Sequence, residues 1–115
     1  MPSNPLQYIS YLVFINFDQK SIEGIQRICS LLKVKTLQIF GSAASNTDSS
    51  KSDIDFLLEF REDLNIEEYT NNYFQLHYRL KELLNRDIDL TTKRTLKNPY
   101  LIESINRSKR VIYEA

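Results

Sequence analysis

Two short apolar runs flank a polar loop, and the second opens with a pair of aspartates. Leu37, Ile39 and Phe40 lead into Gly41-Ser42; after ten intervening residues, Asp53-Ile54-Asp55 leads into Phe56, Leu57 and Leu58. Runs of this length and composition read as strands. Residues two apart on a strand point to the same side, about 7 Å apart along it. The chain is thereby committed to a strand ending in a glycine-serine turn and a second strand whose mouth carries two carboxylates on one face. That arrangement can hold a divalent cation on one side and nucleotide phosphates on the other.

The rest of the composition limits what surrounds this feature. At 115 residues the chain makes one domain, with residues 1–17 expected as an N-terminal extension and 18–115 as the domain proper. Fifteen basic residues balance fifteen acidic ones, which argues against a general nucleic-acid clamp but not against a nucleotide site, where only local charge counts. Cys29 is the single cysteine, so no internal disulfide forms, and a reducing, cytoplasmic setting is expected. No basic start followed by a long apolar stretch and a cleavage site is seen, so no signal peptide is expected. The densest apolar run, 11–17, is too short to span a bilayer, and no membrane association is expected.

Periodicity supplies the other elements. Residues 8–17 are open between strand and helix, with aromatic and β-branched content leaning towards strand. Asp18 or Ser21 caps a helix whose apolar stripe is Ile22, Ile25, Cys29 and Leu32, with Gly24 weakening it. Strands are expected at 36–40 and 53–60. The clearest helix runs from 66 to about 84, with Ile66, Tyr69, Tyr73, Leu76, Leu80 and Leu83 in steps of three or four. Asn65 caps it, Glu68 is placed to bond back, and Leu64 and Tyr69 form a hydrophobic staple. A third strand at 87–91 puts Ile88 and Leu90 on one face and Asp87, Asp89 and Thr91 on the other. Asn98-Pro99 starts a short helix covering 100–107, and 110–113 closes as an edge strand. The layout is an α+β fold: a small mixed β-sheet with helices packed on it.

A glycine turn lets backbone amides approach an anion closely, and Ser42 adds a hydroxyl. Two carboxylates on the neighbouring strand suit Mg²⁺, which prefers oxygen ligands and bridges to substrate phosphates. Asp89, on another strand and a polar face, is the natural third carboxylate. An Asp-x-Asp by itself more often marks a solvated strand rim. Asp87-Ile88-Asp89 repeats the arrangement, and carboxylates that converge without a cation raise each other's pKa, a costly state unless something binds there.

Gly41-Ser42, the ten-residue gap, Asp53-Ile54-Asp55 and the third aspartate resemble the polymerase-beta-like nucleotidyltransferase superfamily. The small size, the phrase from Ser52 to Phe60, and Ile88-Asp89-Leu90 followed by Asn98-Pro99 resemble its minimal nucleotidyltransferases (MNT type), antitoxins paired with a HEPN-domain RNase. The resemblance runs from about residue 20 to the end and implies that fold. It implies Asp53, Asp55 and Asp89 as catalytic residues and ligands of Mg²⁺, two ions in all, with Asp89 orienting or deprotonating the acceptor hydroxyl. It implies Gly41, Ser42 and Ser52 at the nucleotide, with the first two on the β- and γ-phosphates. The implied reaction moves AMP from ATP to a tyrosine of the HEPN toxin. Ala43-Ala44-Ser45-Asn46 departs from the family pattern, which places arginines and a second glycine after the serine. Lys51 supplies charge only from the far side of the loop. Two other readings follow: a degenerate module that neutralises the toxin by contact, and a transferase for a small, aminoglycoside-type acceptor.

The remaining features have plainer readings. His77, the lone histidine, packs at the edge of the long helix's stripe. Cys29 is a small core hydrophobe. The tyrosines are core or interface residues before they are acceptors for self-modification. Arg107, Lys109 and Arg110 form a basic cluster, read first as a solvated face and otherwise as a contact to the nucleotide or an RNA-bound partner. Residues 8–17 serve either the core or an interface, such as self-association into a homo-oligomer.

Overall fold

In the computed structural model, which describes residues 17–41 and 53–115, the first helix, α1 (Gln19–Leu31), starts at Asp18. The Asp18 carboxylate accepts a hydrogen bond from the Ser21 amide at 2.7 Å, satisfying one of the donors a helix start leaves open. Ile22, Ile25 and Cys29 are fully buried along its inner face. Lys33, at φ 62°, turns the chain in a single residue, so β1 (Val34–Phe40) starts two residues before the expected strand.

Three further strands and two further helices complete the described chain: β2 (Ile54–Phe60), α2 (Ile66–Leu84), β3 (Ile88–Thr92), α3 (Pro99–Ser108) and β4 (Arg110–Glu114), with a short 3₁₀ turn at Lys93–Thr95. The sheet order is β3-β2-β1-β4, which makes β4 an edge, as expected. β1 pairs antiparallel with β2 and with β4. β2 and β3 pair in parallel, a pairing that requires a long crossover, and α2 supplies it.

Among the described residues the two faces of the sheet are covered unequally. Ile54, Phe56, Leu58 and Phe60 of β2 point into the main core with the inner faces of α1 and α2. On the opposite face Phe40 and Leu57 meet Ile105 of α3 in a much smaller cluster. By strand alternation, Asp55 lies on that thinly covered face with Leu57.

Two details of α2 differ from the sequence reading. Asn65 does cap it, accepting from the Glu68 amide at 2.8 Å. The Glu68 side chain, however, pairs with Lys33 at 2.7 Å, because the end of α1 brings an ammonium within reach. The stripe also frays at both ends. Ile66 is 74% exposed and Leu83 38%, while Asn72 is buried among the apolar side chains and donates to the Leu32 carbonyl at 2.9 Å. Asn72 closes the carbonyl end of α1, a partner that helical spacing cannot reveal. Cys29 is buried, and burial pushes its thiol pKa up, as a core hydrophobe requires. The expectations for residues 8–16 and for the polar loop after Gly41 fall outside the described residues.

Candidate active site

β1 ends at Gly41, whose φ is +74°, in the left-handed region that side chains disfavour. Phe40, just before it, sits opposite Asp55 on β2. The turn therefore folds back over the Asp55 carboxylate, and a Cβ at position 41 would stand 2.5 Å from Asp55 Oδ2. The Gly41 amide donates to Ser108 Oγ at 3.3 Å, and Ser108 in turn donates to the Ser104 carbonyl, so the last turn of α3 props the bend.

Asp55 and Asp89 are register partners on the parallel strands β2 and β3. Partners on adjacent strands point to the same face. Asp53 stands exposed just before β2 begins. Burial of the Asp55 carboxyl, then the neighbouring charges of Asp89 and Asp53, and a hydrogen bond with Asp89, push its pKa up to about 6. The phenol of Tyr73 is raised by burial and then by the charge of Asp89, so Asp89 lies within electrostatic reach of α2.

Glu59 gives the contrast. It lies on the same face of β2, but Lys35 and Lys93 stand 3.9 and 3.7 Å from it. Among the described residues no ion pair reaches Asp53, Asp55 or Asp89. Asp87, the other acid of the repeated motif, is turned to Lys81 at 3.3 Å and stays outside the cluster. The sheet thus neutralises acid at one end of this face and concentrates it at the other.

The donor set fits a hard divalent cation, which takes carboxylate oxygens and relieves their repulsion. Asp55 and Asp89 form the close pair. Among the described residues no group of three metal-ligating side chains is already gathered to hold an ion; Asp53 is the outlying member. Ser42, Lys51 and Ser52 lie outside the described residues.

Between α2 and the end of β3 opens a cleft of about 610 Å³, lined by Tyr69, Tyr73, Phe74, Leu90, Thr91 and Arg94 among others and by none of the three aspartates. Arg94 lies over the Tyr69 ring at 5.2 Å. The basic residues Arg107, Lys109 and Arg110 are exposed, and Arg107 pairs with Glu103 one turn back, as a solvated face does. Sequence reasoning missed Ser108, whose role depends on a contact 67 positions away, and it gave Tyr73 only a packing role.

A nucleotidyltransferase domain family model matches residues 22–112. A Methanocaldococcus jannaschii protein named "putative protein adenylyltransferase" is 45% identical over 73 residues, 64% of this chain and 70% of its own. A solved structure described as a "putative minimal nucleotidyltransferase" superposes with a TM-score of 0.64 at 25% identity, covering 80% of this chain and 89% of that one. A chain from the complex of a tri-AMPylated Shewanella oneidensis HEPN toxin with an MNT antitoxin shares the fold, with a TM-score of 0.58 at 18% identity over 84% of this chain and 72% of that one.

Proposed function

This chain belongs to the nucleotidyltransferase domain family, and from that premise we propose that it transfers AMP from ATP to a tyrosine hydroxyl of a HEPN-type RNase toxin and so acts as its antitoxin. The observation that carries the reading is the Asp55–Asp89 register pair beside Gly41. A carboxyl whose pKa is pushed up to about 6 by burial and by other carboxylates is poised to take a cation.

Mg²⁺, two ions held by Asp53, Asp55 and Asp89, would neutralise charge on the phosphates. Gly41 offers backbone without a side chain in the way, and with Ser42 and Ser52 it receives the nucleotide. Asp89 orients the acceptor hydroxyl and takes its proton. The hydroxyl oxygen bonds to the α-phosphorus, the bond to the β-phosphate oxygen breaks, and pyrophosphate leaves. In this reading residues 18–115 are the transferase domain, and the acceptor is presented by another protein. Residues 1–17 are an extension suited to self-association. The described residues contain no helix long and apolar enough to cross a membrane; a cytoplasmic setting is part of this proposal.

Ala43-Ala44-Ser45-Asn46, without the family's arginines, favours the second reading, neutralisation by contact. One experiment separates them. The protein is incubated with labelled ATP, Mg²⁺ and a HEPN-type RNase, in wild-type form and as Asp53→Asn/Asp55→Asn. Label on the RNase and loss of its activity with wild type alone support transfer. Equal silencing by both forms, without label, supports contact. Label on a drug-sized acceptor with no protein partner supports the small-molecule reading.

A further inference from the structure

We propose that Tyr73 and His77 are positioning residues for Asp89, pinning β3 from its outer side so that Asp89 stays beside Asp55. The proposal rests on the reading of Asp89 as the group that receives the acceptor's proton. Among the described residues β3 is an edge strand, paired only with β2. An edge strand has a row of backbone groups without ladder partners. Here two of those carbonyls are taken by α2. Tyr73 Oη donates to the Leu90 carbonyl at 2.7 Å, and His77 Nε2 lies 3.0 Å from the Ile88 carbonyl. A carbonyl only accepts, so His77 Nε2 carries the hydrogen.

The two bonds bracket Asp89. Four residues along a helix advance about 6 Å, and two residues along a strand advance about 6.6 Å. Side chains one turn apart on α2 therefore match carbonyls two residues apart on β3, with helix and strand running in opposite directions. Asp55 sits on β2, which is held by a strand on each side, whereas among the described residues β3 has a strand on one side alone. Without Tyr73 and His77 the yielding partner is β3, and the yielding residue is Asp89.

The test uses the full chain with a HEPN-type RNase as acceptor, labelled ATP and Mg²⁺. In Tyr73→Phe/His77→Phe, kcat is expected to fall about 10- to 100-fold while KM for ATP stays within about twofold, since a small misplacement at the reacting group costs rate rather than nucleotide binding. Amide hydrogen exchange in Ile88–Thr92 is expected to speed up about tenfold, with α1 unchanged. His77→Gln, whose amide can donate to the same carbonyl, is expected to retain kcat. If the double variant does not fold, Tyr73→Phe alone is expected to show both effects at reduced size. Wild-type kcat or unchanged exchange in β3 overturns the proposal. Asp89→Asn separates the two levels: if it keeps the wild-type rate, the role of Asp89 falls and the proposal with it; if it is inactive while the double variant is not, only the positioning fails.

Discussion

Asp55 Oδ2 occupies the space that a side chain on Gly41 would need: a Cβ there would sit 2.5 Å from it. The glycine that ends one strand and the carboxylate that opens the next are thus a single unit. A Cβ at position 41 would force the bend and the acid apart.

Gly41→Ala is expected to damage both stability and transfer. An L side chain at φ +74° costs about 1–2 kcal/mol from the backbone alone, and the Asp55 carboxylate must move aside as well. Urea unfolding should show a loss of about 1–3 kcal/mol, and label transfer should fall about 100-fold.

Asp55 gives the fold a pH dependence whose sign is opposite to that of a salt-bridged acid. Its pKa in the folded protein is about 6, against an ordinary 3.8. Between those values the folded chain holds a proton that the unfolded chain has released. Asp55's stabilising contribution is therefore complete below pH 3.8 and is lost as pH rises through about 6. Asp55→Asn should raise the urea midpoint at pH 8 more than at pH 5, by no more than about 1 kcal/mol because solvent screens this partly exposed group. The same change should abolish transfer, a trade of activity for stability. Mg²⁺ should stabilise wild type at pH 8 and leave Asp55→Asn unmoved.

These two residues also show what the sequence could disclose. Gly41 and Asp55 announced themselves, because a glycine ending an apolar run and acids two apart opening another are local patterns with local causes. The caps at Asp18, Asn65 and Asn98 were legible for the same reason. The register that sets Asp55 beside Asp89 was not, since it depends on where α2 returns the chain. Glu68 read as a capping-box partner and went instead to Lys33, because the tertiary fold brought a cation closer than the Asn65 amide. Ile66 read as core and is exposed, because periodicity shows which face turns inward but not where the sheet beneath it stops. Tyr73, His77 and Ser108 look like ordinary helix residues until the strand and turn they hold are in place.

Asn72 offers a test of the scaffold apart from the chemistry. Its side-chain amide is buried and donates to the Leu32 carbonyl at 2.9 Å. Asn72→Ala removes the donor and leaves that carbonyl poorly satisfied, at a cost of about 1–3 kcal/mol. Thermal or urea unfolding should show the loss, while the KM for ATP measured below the transition should stay at the wild-type value.

The reaction itself is tested most directly by following each phosphate of ATP. The protein is incubated with Mg²⁺, a HEPN-type RNase, and ATP labelled either at the α- or at the γ-phosphorus. Label from the α position should appear on the RNase, with released pyrophosphate in equal amount, and should vanish with Asp55→Asn and with Asp89→Asn. Label from the γ position on the RNase, or α label transferred as well by those variants as by wild type, would contradict the account.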